Sequence, residues 1–322
     1  MTSFSHSEEK NQTILVRLKS ITYEAKDVNL YEFIALNGQK LQAFSAGSHI
    51  DVYLPNGLIR QYSLCNSPLE NDRYVIGVKR DAVSRGGSTF MHDELKVGIE
   101  LKISLPRNNF SLSNQLQHSV LIGGGIGITP LISMAHELNA QNASWHLFCS
   151  FKSRSDVALT WQFDPGKVHL HIDKESQNGF LDMAAILSNA PEGSHFYCCG
   201  PEPMLNQFIE LSKSIDASRI HFEFFKPIAA KVSGDSFEVN LHQTKKRFQV
   251  GPDQTILQVL QKNGISAPGS CEQGICGTCE THVLDGIPDH RDSLLSAEEK
   301  STNKVMMICC SRSFSPSITL DL

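Results

Sequence analysis

The chain has 322 residues, 40% hydrophobic and 20% charged, the make-up of a folded protein with room for two or three domains. Lys and Arg number 29 against 34 Asp and Glu, a net charge of −5 with no basic block, which argues against nucleic acid as a partner. No apolar run approaches the ~18 residues of a membrane span, and the polar start MTSFSHSEEKNQT lacks the apolar stretch of a secretory signal, so a cytoplasmic protein without membrane contact is expected.

In chain order, the first 111 residues read as short strands broken by turns. Strands are expected at Thr13–Ile21, Tyr31–Leu36, His49–Leu54, Arg60–Leu64, Tyr74–Lys79 and Glu100–Leu105, with Gly38, Gly47 and Pro55-Asn56-Gly57 between them. Short strands at this spacing predict a small antiparallel barrel. The rhythm then changes. Apolar strands at Ser119–Gly123, Trp145–Ser150, His169–Ile172 and His195–Cys198 alternate with helices at Pro130–Leu138, Asp182–Leu187 and Pro203–Ser214. That alternation predicts a parallel sheet covered by helices. Lys226 to Gly234 is a small-residue stretch that reads as a linker. Strands at Ser236–His242 and Lys246–Val250 and a helix at Thr255–Asn263, closed by Gly264, follow it.

Five of the nine cysteines fall in the last 52 residues, which points to metal ligation rather than disulfides. Cys271, Cys276 and Cys279 have the spacing C-x4-C-x2-C, and Cys309 lies thirty positions further on. This is the plant-type pattern for a 2Fe–2S cluster, in which four thiolates hold two irons. A zinc ribbon would favour two C-x2-C pairs. Cys310 adjoins Cys309 and could be the ligand in its place, but the spacing selects Cys309 and leaves Cys310 as a packed small residue. Asp289-His-Arg-Asp292 reads as a solvated, charged turn. The thirteen histidines include no pair with zinc-helix spacing.

Three further motifs suit phosphates and flat rings. Arg60-Gln61-Tyr62-Ser63 sits on a strand, where Arg60 and Tyr62 share a face; a guanidinium can hold a phosphate, and a phenol can cover a flavin ring. Ser84-Arg-Gly86-Gly87-Ser88 is a Gly-rich turn whose backbone N–H groups could wrap that phosphate. Gly123-Gly124-Gly125-Ile-Gly-Ile-Thr129-Pro130 joins a strand to a helix and lets a pyrophosphate approach closely, without the G-x-G-x-x-G spacing. Cys199-Gly200-Pro201-Glu-Pro-Met204 again joins a strand to a helix, at the sheet edge where α/β folds bind ligands.

In this order, these motifs resemble the phthalate dioxygenase reductase family over essentially the whole chain. The resemblance implies a flavin barrel over residues 1–111, an NAD-binding α/β domain over 112–226, a linker over 227–235 and a β-grasp ferredoxin domain over 236–322. It implies FMN rather than FAD, because members with the ferredoxin module at the C-terminus use FMN. It places FMN against Arg60, Gln61, Tyr62, Ser63, Val78, Lys79, Arg80, Gly86, Gly87, Ser88 and Phe225. It places NADH against Gly124, Gly125, Thr129, Lys152, Ser153, Cys199, Gly200 and Pro201. Lys152-Ser153 departs from the Arg-Ser of many relatives, and lysine meets a phosphate as a point charge rather than through a fork. The implied activity runs from NADH to FMN to the 2Fe–2S cluster to a terminal Rieske-type oxygenase, with no catalytic acid–base pair and a monomeric chain. A vanillate-type aromatic O-demethylation is the expected client reaction. A carnitine-type or other oxygenase is the alternative client. A non-enzymatic iron–sulfur carrier or sensor is the alternative class.

Overall fold

The computed structural model describes residues 12–81, 83, 86–114, 117–176, 179–225, 233–269 and 271–322. Ser84, Arg85 and most of the expected linker lie outside them. The chain divides into two compact units, Gln12–Phe225 and a C-terminal unit from Lys226 to Leu322.

The first unit opens on six antiparallel strands. They are β1 (Thr13–Ala25), β2 (Val28–Ala35), β3 (His49–Tyr53), β4 (Ile59–Ser63), β5 (Arg73–Lys79) and β6 (Glu100–Ser104), ordered β4-β3-β6-β1-β2-β5. A bridge between Leu64 and Ile76 joins the two edges and closes the sheet into a barrel. Alternation does the work that was expected of it: Val16, Leu18, Tyr31, Phe33, Ile50, Val52, Tyr74 and Ile76 point inward and are buried. A short helix, α1 (Gly87–Asp93), interrupts the strands; its seven residues carry no helical signature strong enough to announce it.

Five parallel strands follow: β7 (Ser119–Gly124), β8 (Trp145–Phe151), β9 (Val168–Ile172), β10 (His195–Cys199) and β11 (Ile220–Glu223), ordered β11-β10-β7-β8-β9. Helices α2 (Ile128–Ala140), α3 (Met183–Asn189) and α4 (Glu202–Leu211) connect them. β11 was not expected, since His221 and Glu223 break its apolar run. The order places β7 and β10 side by side, with Cys199 opposite Gly123. Two glycine-bearing turns therefore meet at one edge of the sheet.

The C-terminal unit is a mixed sheet of β12 (Phe237–Leu241), β13 (Arg247–Val250), β14 (Glu280–Asp285), β16 (Val305–Met307) and β18 (Ser317–Leu320), ordered β13-β12-β18-β14-β16, beside a small pair, β15 (Pro288–Asp289) and β17 (Arg312–Ser313). Helix α5 (Ile256–Lys262) buries Ile256, Leu257, Val259 and Leu260 against the sheet. Thr255 and Gln258 form its capping box, and Gly264, with φ +69°, ends it as expected. A second helix, α6 (Ala297–Thr302), lies between β15 and β16. The arrangement is a β-grasp.

Candidate cofactor sites

Strand β4 sets the first site. It pairs with β3 so that Ile50 faces Tyr62 and Val52 faces Arg60, which puts Arg60 and Tyr62 on one side of the barrel wall. Arg60 Nη1 donates to the Ile59 carbonyl at 2.8 Å. The Arg60 side chain passes directly over Gly87, where a methyl group would lie 2.8 Å from its Cδ. Gly87 is thus required for the approach, and Gly86 turns the chain there with φ +88°. Ser88 Oγ accepts the Asp81 N–H at 3.1 Å and holds the turn. Residues 60 and 86–88, separated by the whole of β5, come together as the motifs predicted.

Burial pushes the Tyr62 phenol well above its ordinary range, so it serves as an apolar ring with a hydroxyl and not as a titrating group. Gln61 Nε2 is buried and has no hydrogen-bond partner among the described residues. A donor in that state suits a bound polar ring.

The other residues expected around the flavin divide. Val78 is buried at the end of β5, and its carbonyl accepts from His92 Nε2 at 2.9 Å. Arg80 donates to Asp93 at 2.9 Å, tying β5 to α1. Lys79 lines the nucleotide-type cleft described below. Phe225 packs, partly buried, against the core of the parallel sheet. His92 was missed: its Nδ1 accepts from the Asn29 amide at 3.3 Å while its Nε2 donates to the Val78 carbonyl, and so it bolts α1 to the barrel. Nothing local distinguishes it from any surface histidine.

A cleft of about 490 Å3 opens at the carboxyl ends of the parallel strands. Of the residues expected there, Gly124, Gly125, Lys152 and Pro201 line it. Gly125 has φ +54° with open space beyond its Cα, the conformation of a turn that presents its backbone to a ligand. Thr129, Ser153, Cys199 and Gly200 are not among the residues that line it. Thr129 Oγ1 donates to the Ile126 carbonyl at 3.0 Å, and its methyl faces Gly77 of the barrel, where a Cβ would be 2.8 Å away. Gly77, also missed, is one of several points at which the barrel meets the α/β part, here helix α2.

The cleft is lined by charges of both signs, with Lys26, Lys79 and Lys152 beside two acids. Asp156 and Asp173 both line it. Ser153 donates to Asp156 at 2.5 Å, and Ser150 to Asp173 at 2.6 Å. Arg154 is held by Glu175 through two bonds, of 2.9 and 2.8 Å.

One buried acid lies on β11, opposite Cys199. Glu223 Oε2 is sealed from water and has no hydrogen-bond partner among the described residues, and burial raises its pKa from 4.5 to about 8. Burial, reinforced by this neighbour, holds the Cys199 thiol well above its ordinary value. Below pH 4.5 the carboxyl is neutral in the folded and unfolded chain alike; above pH 8 it is charged in both, and the folded chain bears the full burden of a buried charge. Stability therefore falls as pH rises from 4.5 to 8, by an amount on the order of a few kcal/mol. Glu223→Gln is expected to unfold at higher denaturant than the parent at pH 8.5 and at nearly the same denaturant at pH 5. Parallel curves at both pH values would contradict this.

In the C-terminal unit, Cys271, Cys276, Cys279 and Cys309 are all buried. Cys271 neighbours both Cys276 and Cys309, and Cys309 neighbours Cys279. Cys309 reaches the group because β14 and β16 pair with Glu280 opposite Met307, and the Ile308 N–H continues the ladder to the Cys279 carbonyl at 3.4 Å. Backbone N–H groups aim at sulfur: Gln273 at Cys271 Sγ (3.3 Å) and Gly274 at Cys309 Sγ (3.2 Å). The hydrogen-bonded Cys271 thiol, with burial, pushes the Cys276 thiol up, so an uncompensated thiolate is disfavoured there and bound cations would be needed to hold it. Cys310 Sγ lies 3.7 Å from the Met307 carbonyl and also hydrogen-bonds the neighbouring Cys309 thiol. The donor set fits an iron–sulfur group. The turn Asp289–Asp292, expected in solvent, is packed inward: Asp292 is buried and Arg291 is folded back on Asp289 at 2.8 Å. The carboxylate finds backbone N–H donors from Leu294 and Leu295, which local sequence does not foretell.

A closed barrel, a parallel sheet with a ligand cleft and a four-thiol grasp domain in one chain define an electron-transfer oxidoreductase. The family description "2Fe-2S iron-sulfur cluster binding domain" matches residues 239–313. A phenoxybenzoate dioxygenase subunit beta of Ectopseudomonas oleovorans is 44% identical over 96% of this chain and 97% of its own. A vanillate O-demethylase oxidoreductase of Pseudomonas sp. strain HR199 is 42% identical over 96% and 100%. The solved structure of phthalate dioxygenase reductase, described as modular, for electron transfer from pyridine nucleotides to 2Fe–2S, superposes with a TM-score of 0.75. It is 33% identical and covers 98% of this chain and 99% of its own. The chain belongs to the phthalate dioxygenase reductase family. No helix among the described residues is long and apolar enough to cross a membrane.

Proposed function

We propose that this chain is the reductase component of a two-component oxygenase, taking electrons from NADH through FMN and a 2Fe–2S centre to a terminal Rieske-type partner. The observation that carries the reading is the presence in one chain of the Arg60–Gly87 contact, the glycine-walled cleft and the four neighbouring thiols. When bound, the flavin accepts a hydride and gives up electrons singly, which solves the mismatch between a two-electron donor and a one-electron acceptor.

The residues divide the work. Arg60 with Gly86, Gly87 and Ser88 takes the FMN phosphate, and Gln61, Tyr62, Ser63, Val78 and Phe225 surround the ring. Arg80 acts indirectly, through Asp93. Lys79 serves the nucleotide as much as the flavin, since it lines the cleft. Gly124, Gly125, Lys152 and Pro201 contact NADH; Thr129, Ser153, Cys199 and Gly200 support them. Cys271, Cys276, Cys279 and Cys309 hold the irons. The domain limits are 1–111, 112–226 and 236–322, with a linker over 227–235. The chain acts as a cytoplasmic monomer. Both named relatives serve aromatic acids, which supports an aromatic-acid oxygenase, vanillate-type O-demethylation included, as the client.

Asp156 and Asp173 in the cleft lining support NADH over NADPH. A 2′-phosphate would meet Asp156 and Asp173 and could draw only on point-charge lysines such as Lys152, since the Arg154 fork is bound to Glu175. Ribose hydroxyls, by contrast, can donate to carboxylates. The purified protein is expected to reduce cytochrome c with NADH and to show a kcat/KM for NADPH at least about tenfold lower, equivalent to 1.4 kcal/mol. A protein that carries flavin and cluster yet oxidises neither nucleotide would overturn the reading in favour of a carrier or sensor.

A further inference from the structure

The loop from Asp289 to Asp292 holds none of the four assigned cysteine ligands, yet it carries two buried polar side chains. Asp292 is 0% exposed at the side chain and His290 9%, and His290 Nδ1 stands 3.7 Å from Asp292 Oδ1. Neither His290 nitrogen nor Asp292 Oδ1 has a hydrogen-bond partner among the described residues. Asp292 Oδ2 accepts the Leu294 and Leu295 N–H groups at 3.2 and 2.8 Å. Lys300 Nζ lies 3.6 Å from the same oxygen and donates to the Asp292 carbonyl at 2.7 Å.

This acid leans on the thiol loop. A methyl group at Gly274 would collide with Cys310 Sγ and lie 3.0 Å from Asp292 Cα and 3.2 Å from its Cβ, and Gly274, with φ +67°, admits no side chain comfortably. The Ser293 N–H donates to the Gly274 carbonyl at 3.1 Å, while the Gly274 N–H donates to Cys309 Sγ at 3.2 Å. A single glycine therefore separates the segment bearing a buried carboxylate from the Sγ of Cys309, which would hold the cluster. A turn that had only to reverse the chain could do so with uncharged residues at lower desolvation cost.

We propose that Asp292 and Lys300 form a charge pair that sets the reduction potential of the 2Fe–2S centre, Asp292 lowering it and Lys300 raising it. The proposal rests on the assignment of the four cysteines as its ligands. Reduction adds one electron and makes or breaks no bond. A fixed negative charge in a poorly screened interior disfavours the added electron, and a fixed positive charge favours it. Asp292 is buried and Lys300 is 30% exposed, so the acid acts with less screening than its counter-charge.

The test is a redox titration of the full-length protein, followed by the visible cluster absorption, with the electron paramagnetic resonance of the reduced centre recorded for each sample. Asp292→Asn is expected to raise the midpoint, making the equilibrium constant for reduction about tenfold more favourable, or 59 mV for a one-electron couple. Lys300→Gln is expected to lower it, with the resonance pattern unchanged in both variants. If both variants shift the same way, or neither shifts while the parent shows an intact cluster, the proposal fails. If the parent itself shows no cluster spectrum, the ligand assignment fails instead. Should Asp292→Asn not accumulate, Lys300→Gln decides alone: an unmoved or raised midpoint overturns the proposal.

Discussion

Cys309→Ser is expected to abolish or grossly alter the visible iron–sulfur absorption, and Cys310→Ser is expected to leave it intact. The two thiols are adjacent in sequence, yet the strands treat them differently. The Gly274 N–H points at Cys309 Sγ at 3.2 Å, and the Cys309 thiol neighbours those of Cys271 and Cys279. Cys310 Sγ faces the Met307 carbonyl and, among the ligand thiols, bonds its chain neighbour Cys309. Cys271→Ser, Cys276→Ser and Cys279→Ser should behave like Cys309→Ser. All four should keep their flavin, because the flavin residues belong to the other compact unit of the chain. Absorption spectra and iron content of the five variants settle the matter; loss of the cluster in Cys310→Ser with retention in Cys309→Ser would reverse the assignment.

Arg60→Ala is expected to weaken FMN about ten- to a hundredfold. A charge-assisted bond to phosphate is worth roughly 1.5–3 kcal/mol, and each 1.4 kcal/mol is about tenfold in affinity. Gly87→Ala should weaken it as well without removing any charge, because the added methyl group would occupy the space through which the Arg60 side chain passes. Riboflavin, which lacks the phosphate, should bind the parent and Arg60→Ala alike. Titration of each flavin into the apoprotein, with chromatographic identification of the flavin extracted from the parent, gives the answer. Recovery of FAD, or an unchanged FMN affinity in Arg60→Ala, would remove Arg60 from the phosphate site.

Much of this protein is legible in its sequence because the relevant signals are local. The C-x4-C-x2-C spacing needs one loop, so the cluster loop can be read without a fold. Alternation of apolar residues from Thr13 to Ser104 places the barrel strands, since side-chain direction on a strand has period two. The glycines after β7 and the Cys-Gly-Pro after β10 mark turns whose backbone must lie close to something. What tertiary structure alone decided are matters of pairing and burial. The β14–β16 register carries Cys309 to the other thiols. The touch of Gly77 on Thr129 joins barrel to helix α2, and with it Lys79 comes to line the nucleotide cleft. Glu223 and Asp292 look like ordinary surface acids in sequence, yet each has a carboxylate oxygen sealed from water. Spacing and periodicity are properties of a few consecutive residues, whereas the environment of a charge depends on what the rest of the chain folds over it.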